Sequence, residues 1–340
     1  MLKFAIKVAV MVACGTAAAA ECPFEPFPSE SASGVLSQRR LMIRRTEPKA
    51  IVVRTKLERD DDGGPNAYHI GFKGTSVDPG LDHICNGASV LEYDTGSGKL
   101  VDKYREGGSI GSLQGIDQAS TWSRTALCKQ DYIALRDAGF PACGPGNLCM
   151  LWYGIASTKI SCGYPGATHG PADDRCGIPI RQKVAGVERP YYLTTTTLRR
   201  PGSQVADAVQ TDYANAAVLP FVVMPGGQSL PEGMPWKIGD LALVVWRTNI
   251  IAAVVGDTGP SQKFGEASRA LLRALHDGRS SSTIGDGDPA SVIFVAGSDG
   301  TLLSKWPIDP KDLKKQGRSL LARLGGRGSI GACADIGMRD

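Results

Sequence analysis

The sequence lacks the features that mark several large classes of protein. Only 6% of its 340 residues are aromatic, whereas it holds 42 glycines and 21 prolines. This composition argues against a helical bundle and favours strands joined by many turns. The 38 basic residues nearly balance the 34 acidic ones, and a net charge of +4 is too small to predict binding to nucleic acid. The hydrophobic share of 42% is enough to bury a sizeable core.

The apolar run near the N-terminus is too short to cross a membrane. It covers residues 8–13, follows a short basic start, and precedes three alanines at 18–20, whereas a membrane-spanning helix needs about 20 apolar residues. We therefore expect residues 1–20 to be an export signal, with a lipoprotein anchor at Cys14 as the minor alternative. Removing them takes away two lysines and no acid, which leaves a net charge of +2.

Metal-binding patterns are missing as well. The chain has no Cys-x-x-Cys pair, and its four histidines lack the spacing of metal ligands. Eight cysteines follow the export signal, and an even number in an exported protein predicts up to four disulfides, with zinc as the competing interpretation. The eight are Cys22, Cys85, Cys128, Cys143, Cys149, Cys162, Cys176 and Cys333. Their spacing leaves the connectivity open, and we predict no metal and no cofactor.

The domain organisation is read from composition along the chain. Residues 21–48 form an extended N-terminal arm, and residues 49–340 form a single domain. Between about 90 and 185 the periodicity is weak and the cysteines are dense, which predicts a long disulfide-rich insertion with a short helix near 129–137.

Strand signals dominate the rest of the chain. We predict strands over 50–57, 191–198 and 218–224, a turn over 60–64, and two hairpins that pair 241–246 with 250–255 and 292–297 with 302–303. The spacing of Leu271, Leu272 and Leu275 predicts one main helix over 265–276, ended by Gly278. The fold class is therefore α+β, mainly β, with a barrel-like sheet.

The most informative segment covers residues 254–268. A buried strand delivers Asp257 to its end, a Gly/Pro loop follows, and Glu266 stands in the first turn of the next helix. Glycoside hydrolysis needs such a pair, one acid and one base or nucleophile, and a gap of about 6.5–9.5 Å between them suits inversion through a water. The alternative is that Asp257 closes a turn and Glu266 caps a helix.

Residues 256–268, Gly-Asp-Thr-Gly-Pro-Ser-Gln-Lys-Phe-Gly-Glu-Ala-Ser, resemble the signature of glycoside hydrolase family 75, the chitosanases. Members of that family show a similar Asp-x-Gly-Pro-x-x-Lys-x-Gly-Glu pattern before a helix. Weaker matches follow in family order at 67–69, 80–82, 191–198, 218–225 and 238–243. The likeness covers about residues 50–90 and 188–310.

The resemblance implies a fold and an activity. The fold is a compact six-stranded double-psi-like barrel, and the activity is inverting endo-hydrolysis of β-1,4-linked glucosamine polymers. Glu266 would be the general acid, and Asp257 the base that activates water. Candidates for the substrate cleft are His69, Asp82, Thr196 and Asp240. Each has an ordinary alternative: a surface histidine, a β-forming threonine or a turn cap. We expect a monomer that acts on a polysaccharide without membrane insertion.

Two features depart from the family pattern and leave more than one substrate to consider. Asn215 stands at a family position that is usually acidic, and the mature chain is slightly basic although a polyamine sugar favours an acidic groove. A peptidoglycan-type substrate is therefore one alternative, and a secreted polysaccharide-binding module without catalysis is another.

A second motif indicates a different hydrolase. Asp94-Thr-Gly and Asp257-Thr-Gly form two triplets like those of pepsin-like aspartic proteases, whose two carboxylates share a proton. The residues after each triplet do not continue the apolar strand that such a lobe requires. The protease is therefore the least favoured alternative.

Overall fold

The structure is a computed structural model. The residues it describes are 20–28, 36, 39–71, 84–96, 99–104, 118–158, 176–204, 209–226, 236–259, 263–285, 287–298 and 302–338, without the side chains of 99 and 118–126. Except for its last residue, the predicted export signal lies outside these ranges, as does Asp82. No helix within the described ranges is long and apolar enough to cross a membrane.

Strands outnumber helices throughout the described chain. The strands are β1 (Glu25–Phe27), β2 (Leu41–Arg44), β3 (Ala50–Thr55), β4 (Leu57–Asp60), β5 (Ala88–Asp94), β6 (Lys99–Asp102), β7 (Cys149–Trp152), β8 (Arg181–Val184), β9 (Val187–Tyr192), β10 (Phe221–Pro225), β11 (Leu241–Trp246), β12 (Asn249–Gly259), β13 (Glu266–Ser268), β14 (Thr283–Ile284) and β15 (Ala290–Val295). The α-helices are α1 (Gln118–Asp137), α2 (Arg269–Leu275), α3 (Pro310–Arg323) and α4 (Gly326–Gly331). The predicted class, α+β and mainly β, is confirmed.

One large sheet organises the molecule. Its ten strands follow the order β1-β2-β3-β15-β11-β12-β10-β13-β4-β14, which is an open sequence of hydrogen-bonded neighbours. A closed six-stranded double-psi-like barrel is therefore not confirmed. The strands β3 and β4 stand far apart in this order although only Lys56 separates them in the chain. Residues 50–60 thus pair with β15 through their first part and with β13 through their second.

The hairpin of β11 and β12 forms the middle of this sheet and was predicted correctly. The two strands pair antiparallel from Leu241 opposite Val254 to Trp246 opposite Asn249. Arg247 takes a left-handed φ of 52° in the two-residue turn, as such tight hairpins require. All six residues of β11 are buried, because both faces of the sheet are covered.

Helices cover the two faces of the sheet. The predicted helix is α2, but it begins at Arg269, so Glu266 lies in the strand β13 and the prediction that it stands in the first helical turn is wrong. Leu271, Leu272 and Leu275 of α2 enter the core on one face. The helix α3, which the sequence analysis did not predict, covers the other face with Leu313 and Leu320. Burying each of these leucine side chains contributes about 1.5–3 kcal/mol to stability.

The predicted insertion builds a smaller unit with its own core. The strands β6, β5 and β7 form a three-stranded sheet, and α1 extends the predicted short helix toward the N-terminus. The disulfides Cys85–Cys128 and Cys143–Cys149 lie in this part of the chain. Cys176 is disulfide-bonded as well. The prediction of disulfides is therefore confirmed for this segment.

The N-terminal arm and two other elements differ from the sequence-based predictions. Residues 21–48 include β1 and β2, which add two strands to the edge of the large sheet, and Cys22 bonds to Cys333. The predicted strand over 191–198 ends at Tyr192, because the following threonines turn to bond with neighbouring loops. The predicted second hairpin is wrong: Leu302 and Leu303 lie in a turn rather than in a strand beside β15.

Candidate active site

The two predicted catalytic carboxylates lie on opposite sides of one strand residue. Asp257 of β12 pairs with Val223 of β10, and Glu266 of β13 pairs with the same Val223 from the other side. Residues directly opposite on neighbouring strands present their side chains to the same face, and each strand step is about 4.8 Å. The Cα atoms of Asp257 and Glu266 are therefore about 10 Å apart along one row of the sheet.

A β-bulge places Asp257 in this row. The pairing of β10 with β12 shifts between Val222 and Val223, which leaves Gly256 as an extra residue. A Cβ on Gly256 would lie 2.5 Å from the ring Cγ of Phe221, so only glycine fits there. Bulges redirect the side chain that follows them, and here that side chain is the carboxylate of Asp257.

Hydrogen bonds fix one oxygen of Asp257. Its Oδ1 accepts the hydroxyl of Thr197 over 2.6 Å, the backbone N–H of Thr197 over 2.9 Å and the N–H of Thr258 over 2.7 Å. Asp257 is 9% exposed. Burial, with a smaller contribution from the charge of Glu266, raises the pKa of Asp257 to about 6 against these hydrogen bonds. The group therefore exchanges its proton in the mildly acidic range.

A lysine holds Glu266. Lys263 Nζ lies 2.7 Å from Oε1 of Glu266 and 3.0 Å from Oε2 of Glu58. Glu58 and Glu266 are register partners in the parallel pair of β4 and β13, so their side chains stand side by side. Oε2 of Glu266 approaches Gly259, where an added Cβ would lie 2.9 Å from that oxygen.

A further carboxylate, Asp60, was not predicted as a site residue. It ends β4, and its Oδ1 accepts the backbone N–H of Asp62 over 2.7 Å. Burial raises the pKa of Asp60 well above its ordinary value, and the charges of Asp62, Asp257 and Glu266 add to the effect. Asp60 is therefore close enough to both predicted catalytic acids to interact with them electrostatically.

The insertion contributes a wall next to Asp62. The hydroxyl of Tyr68 donates to Oδ1 of Asp62 over 2.7 Å. Gly154, just after β7, lies so close that a Cβ there would sit 2.2 Å from Oδ2 of Asp62. The carbonyl of Gly154 also accepts the N–H of Thr195. The insertion is thus anchored beside the segment that holds Asp257.

We call Glu58, Asp60, Asp62, Asp257 and Glu266 the acidic cluster.

The other predicted cleft residues have structural partners. Thr196 is buried, donates to the carbonyl of Leu198 and accepts the N–H of Ala214. Asp240 is buried and accepts the N–H groups of Lys237 and Ser298, so it closes two turns.

His69 is buried against the chain around Tyr191. It bridges to Tyr191 and accepts the N–H of Gly71 at Nδ1. Asp82 lies outside the described residues. The structure thus brings Thr197 rather than its neighbour Thr196 to the carboxylate of Asp257.

The first Asp-Thr-Gly triplet lies on a different sheet from the second. Asp94 ends β5 of the three-stranded sheet, where it is exposed and accepts the N–H of Gly96 over 2.9 Å. Asp257 belongs to the large sheet and is held by Thr197 and Thr258. A protease dyad requires two carboxylates that share a proton, and each of these two is bonded to its own surroundings.

The potential metal ligands that lie close together are cysteines outside the acidic cluster. Within the described ranges, the one group of three potential ligands whose atoms lie within 4.8 Å of one another is Cys143, Cys149 and Cys176. Cys143 and Cys149 are joined in a disulfide and Cys176 is disulfide-bonded too, so these sulfurs are not the thiolates that bind metals.

Comparison with known proteins gives this site no assignment. No protein family model matches the sequence, and no curated protein is significantly similar to it.

Proposed function

We propose that this protein is an exported glycoside hydrolase that cuts β-1,4 linkages inside chitosan, the glucosamine polymer, with inversion. The observation that carries the proposal is the row Asp257, Val223, Glu266, in which two acids from neighbouring elements start from one face of the sheet. A Cα separation of about 10 Å leaves room for carboxyl groups about 6.5–9.5 Å apart, the gap that admits the attacking water.

The charge of the site favours a cationic sugar. Asp60 lies close enough to Asp62, Asp257 and Glu266 to interact with their charges. Glu58 and Glu266 flank Lys263, and Lys56 also pairs with Glu58. The whole chain is slightly basic, with 38 basic and 34 acidic residues. Acidity is thus concentrated at the row of Asp257 and Glu266, where the ammonium groups of a glucosamine polymer would gain most from it.

The proposal also includes closure of the large sheet into a barrel and export of the protein. We infer that the sheet closes as a six-stranded double-psi-like barrel through residues 50–60, because this one segment pairs with both β15 and β13. Disulfides support export, since they persist in oxidising compartments. The resemblance to glycoside hydrolase family 75 in residues 256–268 agrees with each of these points.

The test uses the oxidised protein on soluble chitosan. Viscosity should fall faster than reducing ends appear, because an endo-acting enzyme cuts inside the chain, and NMR should detect the α-anomer first. Glu266→Gln and Asp257→Asn should each lower the rate by about 10²–10⁴-fold. The matched control is Glu188→Gln, which alters an exposed carboxylate paired with Arg181.

Other outcomes would reject the proposal. Full activity in either variant would show that the acid it replaces takes no part in catalysis. Lysis of purified peptidoglycan without cleavage of chitosan would show that the substrate is a cell-wall polymer instead. Binding to chitosan with no product over a long incubation would indicate a binding module.

A further inference from the structure

The two carboxylate oxygens of Asp257 have different surroundings. The hydroxyl of Thr197, its backbone N–H and the N–H of Thr258 lie 2.6, 2.9 and 2.7 Å from Oδ1. A carboxylate oxygen offers about two lone-pair positions, so three donors fill the space around Oδ1. Oδ2 accepts no hydrogen bond from the residues that the structure describes. Oδ2 is therefore the oxygen that is left to accept a proton.

The hydroxyl of Thr197 is the one donor of the three that a side chain supplies. The other two belong to the backbone and persist when the side chain at position 197 is replaced by another that keeps the N–H. Rotation of the carboxylate about its Cβ–Cγ bond would move Oδ1 away from all three donors. The hydrogen bonds therefore determine which oxygen faces away from Thr197.

The segment that carries Thr197 is fixed on both sides. The N–H of Leu198 donates over 2.9 Å to the carbonyl of Gly256, the bulge residue of β12. The N–H of Thr195 donates over 2.9 Å to the carbonyl of Gly154 in the insertion. Thr197 is thus held between the large sheet and the insertion, and its place relative to β12 is defined.

Hydrogen bonds rather than a cation support the ionised form of Asp257. The charges that act on it come from Glu266 and Asp60, and both are acids, whose negative charge disfavours a second ionised carboxylate nearby. Donors to a carboxylate favour its ionised form, which is the form that a general base requires. The hydroxyl of Thr197 therefore contributes to the charge of Asp257 as well as to its orientation.

We infer that Thr197 is the positioning residue of the proposed base, since it holds Oδ1 of Asp257 so that Oδ2 takes the proton of the attacking water. This inference rests on the proposed function and keeps Glu266 as the general acid. As the water oxygen forms its bond with C1, the water gives a proton to Oδ2. The bond from C1 to the glycosidic oxygen breaks, its electron pair stays on that oxygen, and Glu266 supplies the proton. Exchange with solvent then restores both carboxyl groups.

The first experiment compares two side chains at position 197 on soluble chitosan. Thr197→Val keeps the shape of the side chain but loses the hydroxyl, so kcat should fall about tenfold. KM should stay within about twofold of the wild-type value, because the hydroxyl contacts the carboxylate and not the sugar. Thr197→Ser keeps the hydroxyl and loses a methyl group, so its kcat should stay within about threefold of the wild-type value.

Two results of this comparison would overturn the inference. An equal loss of kcat in both variants would show that the methyl group, and not the hydroxyl, matters at position 197. A loss confined to KM would show that Thr197 contacts the substrate instead of positioning the base. Melting temperatures of both variants establish that each is folded under the assay conditions.

A readout without catalysis keeps the inference apart from the proposed function. The carboxyl carbon of Asp257, followed by ¹³C NMR, should titrate at higher pH in Thr197→Val than in the wild type, because a donor to the ionised form is lost. Thr197→Ser should titrate like the wild type. Glu266 and Asp60 are present in both variants, so their charges do not cause the difference. An unchanged midpoint in Thr197→Val would overturn the inference.

Failure of the proposed function gives a different result. If the wild type releases no product from chitosan, the proposed function fails together with the proton transfer to Oδ2. The titration of Asp257 in Thr197→Val and Thr197→Ser then still decides whether the hydroxyl of Thr197 holds this carboxylate.

Discussion

Thr197 donates twice to a single oxygen of Asp257, once from its hydroxyl over 2.6 Å and once from its backbone N–H over 2.9 Å. Hydrogen bonds to a carboxylate favour its ionised form. Thr197 thus opposes the burial that raises the pKa of Asp257, and the balance between the two determines the pH at which this acid gains or loses its proton.

Removal of the Thr197 hydroxyl tests this balance. Thr197→Val keeps the backbone bond and the shape of the side chain but loses the 2.6 Å hydrogen bond. We expect the pKa of Asp257 to rise, so that its limb of the pH–activity profile moves to higher pH, with a loss of about tenfold in kcat from poorer positioning.

The neighbouring threonine provides the control for that variant. Thr196→Val removes the hydroxyl that bonds to Ala214 and Leu198, whose N–H and carbonyl still bond to each other, so stability should fall by only about 0.5–1.5 kcal/mol. Its pH profile should stay in place. Equal profiles for Thr197→Val and the wild type would contradict the assignment of Thr197.

Replacement of Asp257 should stabilise the protein at neutral pH. The pKa of Asp257 rises from 3.8 to about 6 on folding, so the wild type loses stability as the pH rises through this window. Asp257→Asn avoids that loss and should gain up to about 3 kcal/mol at pH 7. The gain should shrink to about 0.5 kcal/mol near pH 4, where the folded carboxyl is protonated and the unfolded one is about half protonated.

Urea unfolding at pH 4 and pH 7 measures this difference. Asp335→Asn is the control, because it removes a partly exposed carboxylate that pairs with Arg40 on the surface and should change stability little at either pH. If Asp257→Asn is less stable than the wild type at pH 7, burial does not disfavour the ionised form of Asp257.

Gly259 tests the position of Glu266 without changing any charge. A Cβ there would lie 2.9 Å from Oε2 of Glu266 and 3.1 Å from Cγ1 of Val223. The flexible carboxylate can move aside, so Gly259→Ala should change the melting temperature little. A displacement of about 1 Å should nevertheless lower kcat by up to about 10²-fold. Unchanged kcat would show that Glu266 does not need this position.

The disulfides should contribute unequally to stability. Cys22 and Cys333 are 311 residues apart, whereas Cys143 and Cys149 are only 6 apart. In the chain-entropy model the longer loop contributes about 6 kcal/mol and the shorter one about 2 kcal/mol. Paired serine variants compared by denaturant unfolding check this order, and a larger loss for the short loop would contradict it.

Sequence patterns predicted the elements that depend on local contacts. The hairpin of β11 and β12 needs only a two-residue turn between two apolar runs, and α2 shows leucines at helical spacing. The signal for α3 was present too, since Asp309 caps its first turn before Pro310, with Leu313 and Leu320 facing the core. An Asp-Pro start followed by leucines seven residues apart is typical of a helix.

The rest of the site depends on long-range pairing. Asp60 was assigned to a turn, because nothing near it in the chain shows that β4 pairs with β13 about two hundred residues later. Among the four consecutive threonines, the choice between Thr196 and Thr197 depends on which one faces β12. That orientation follows from the bond between Leu198 and Gly256, which no local pattern predicts.

The bond between Cys22 and Cys333 also determines how the protein responds to proteases. A cut in any surface loop between these two cysteines leaves both fragments attached through this covalent closure. Nicked molecules therefore migrate as intact chains on a non-reducing gel and separate into pieces only after the sulfurs are reduced.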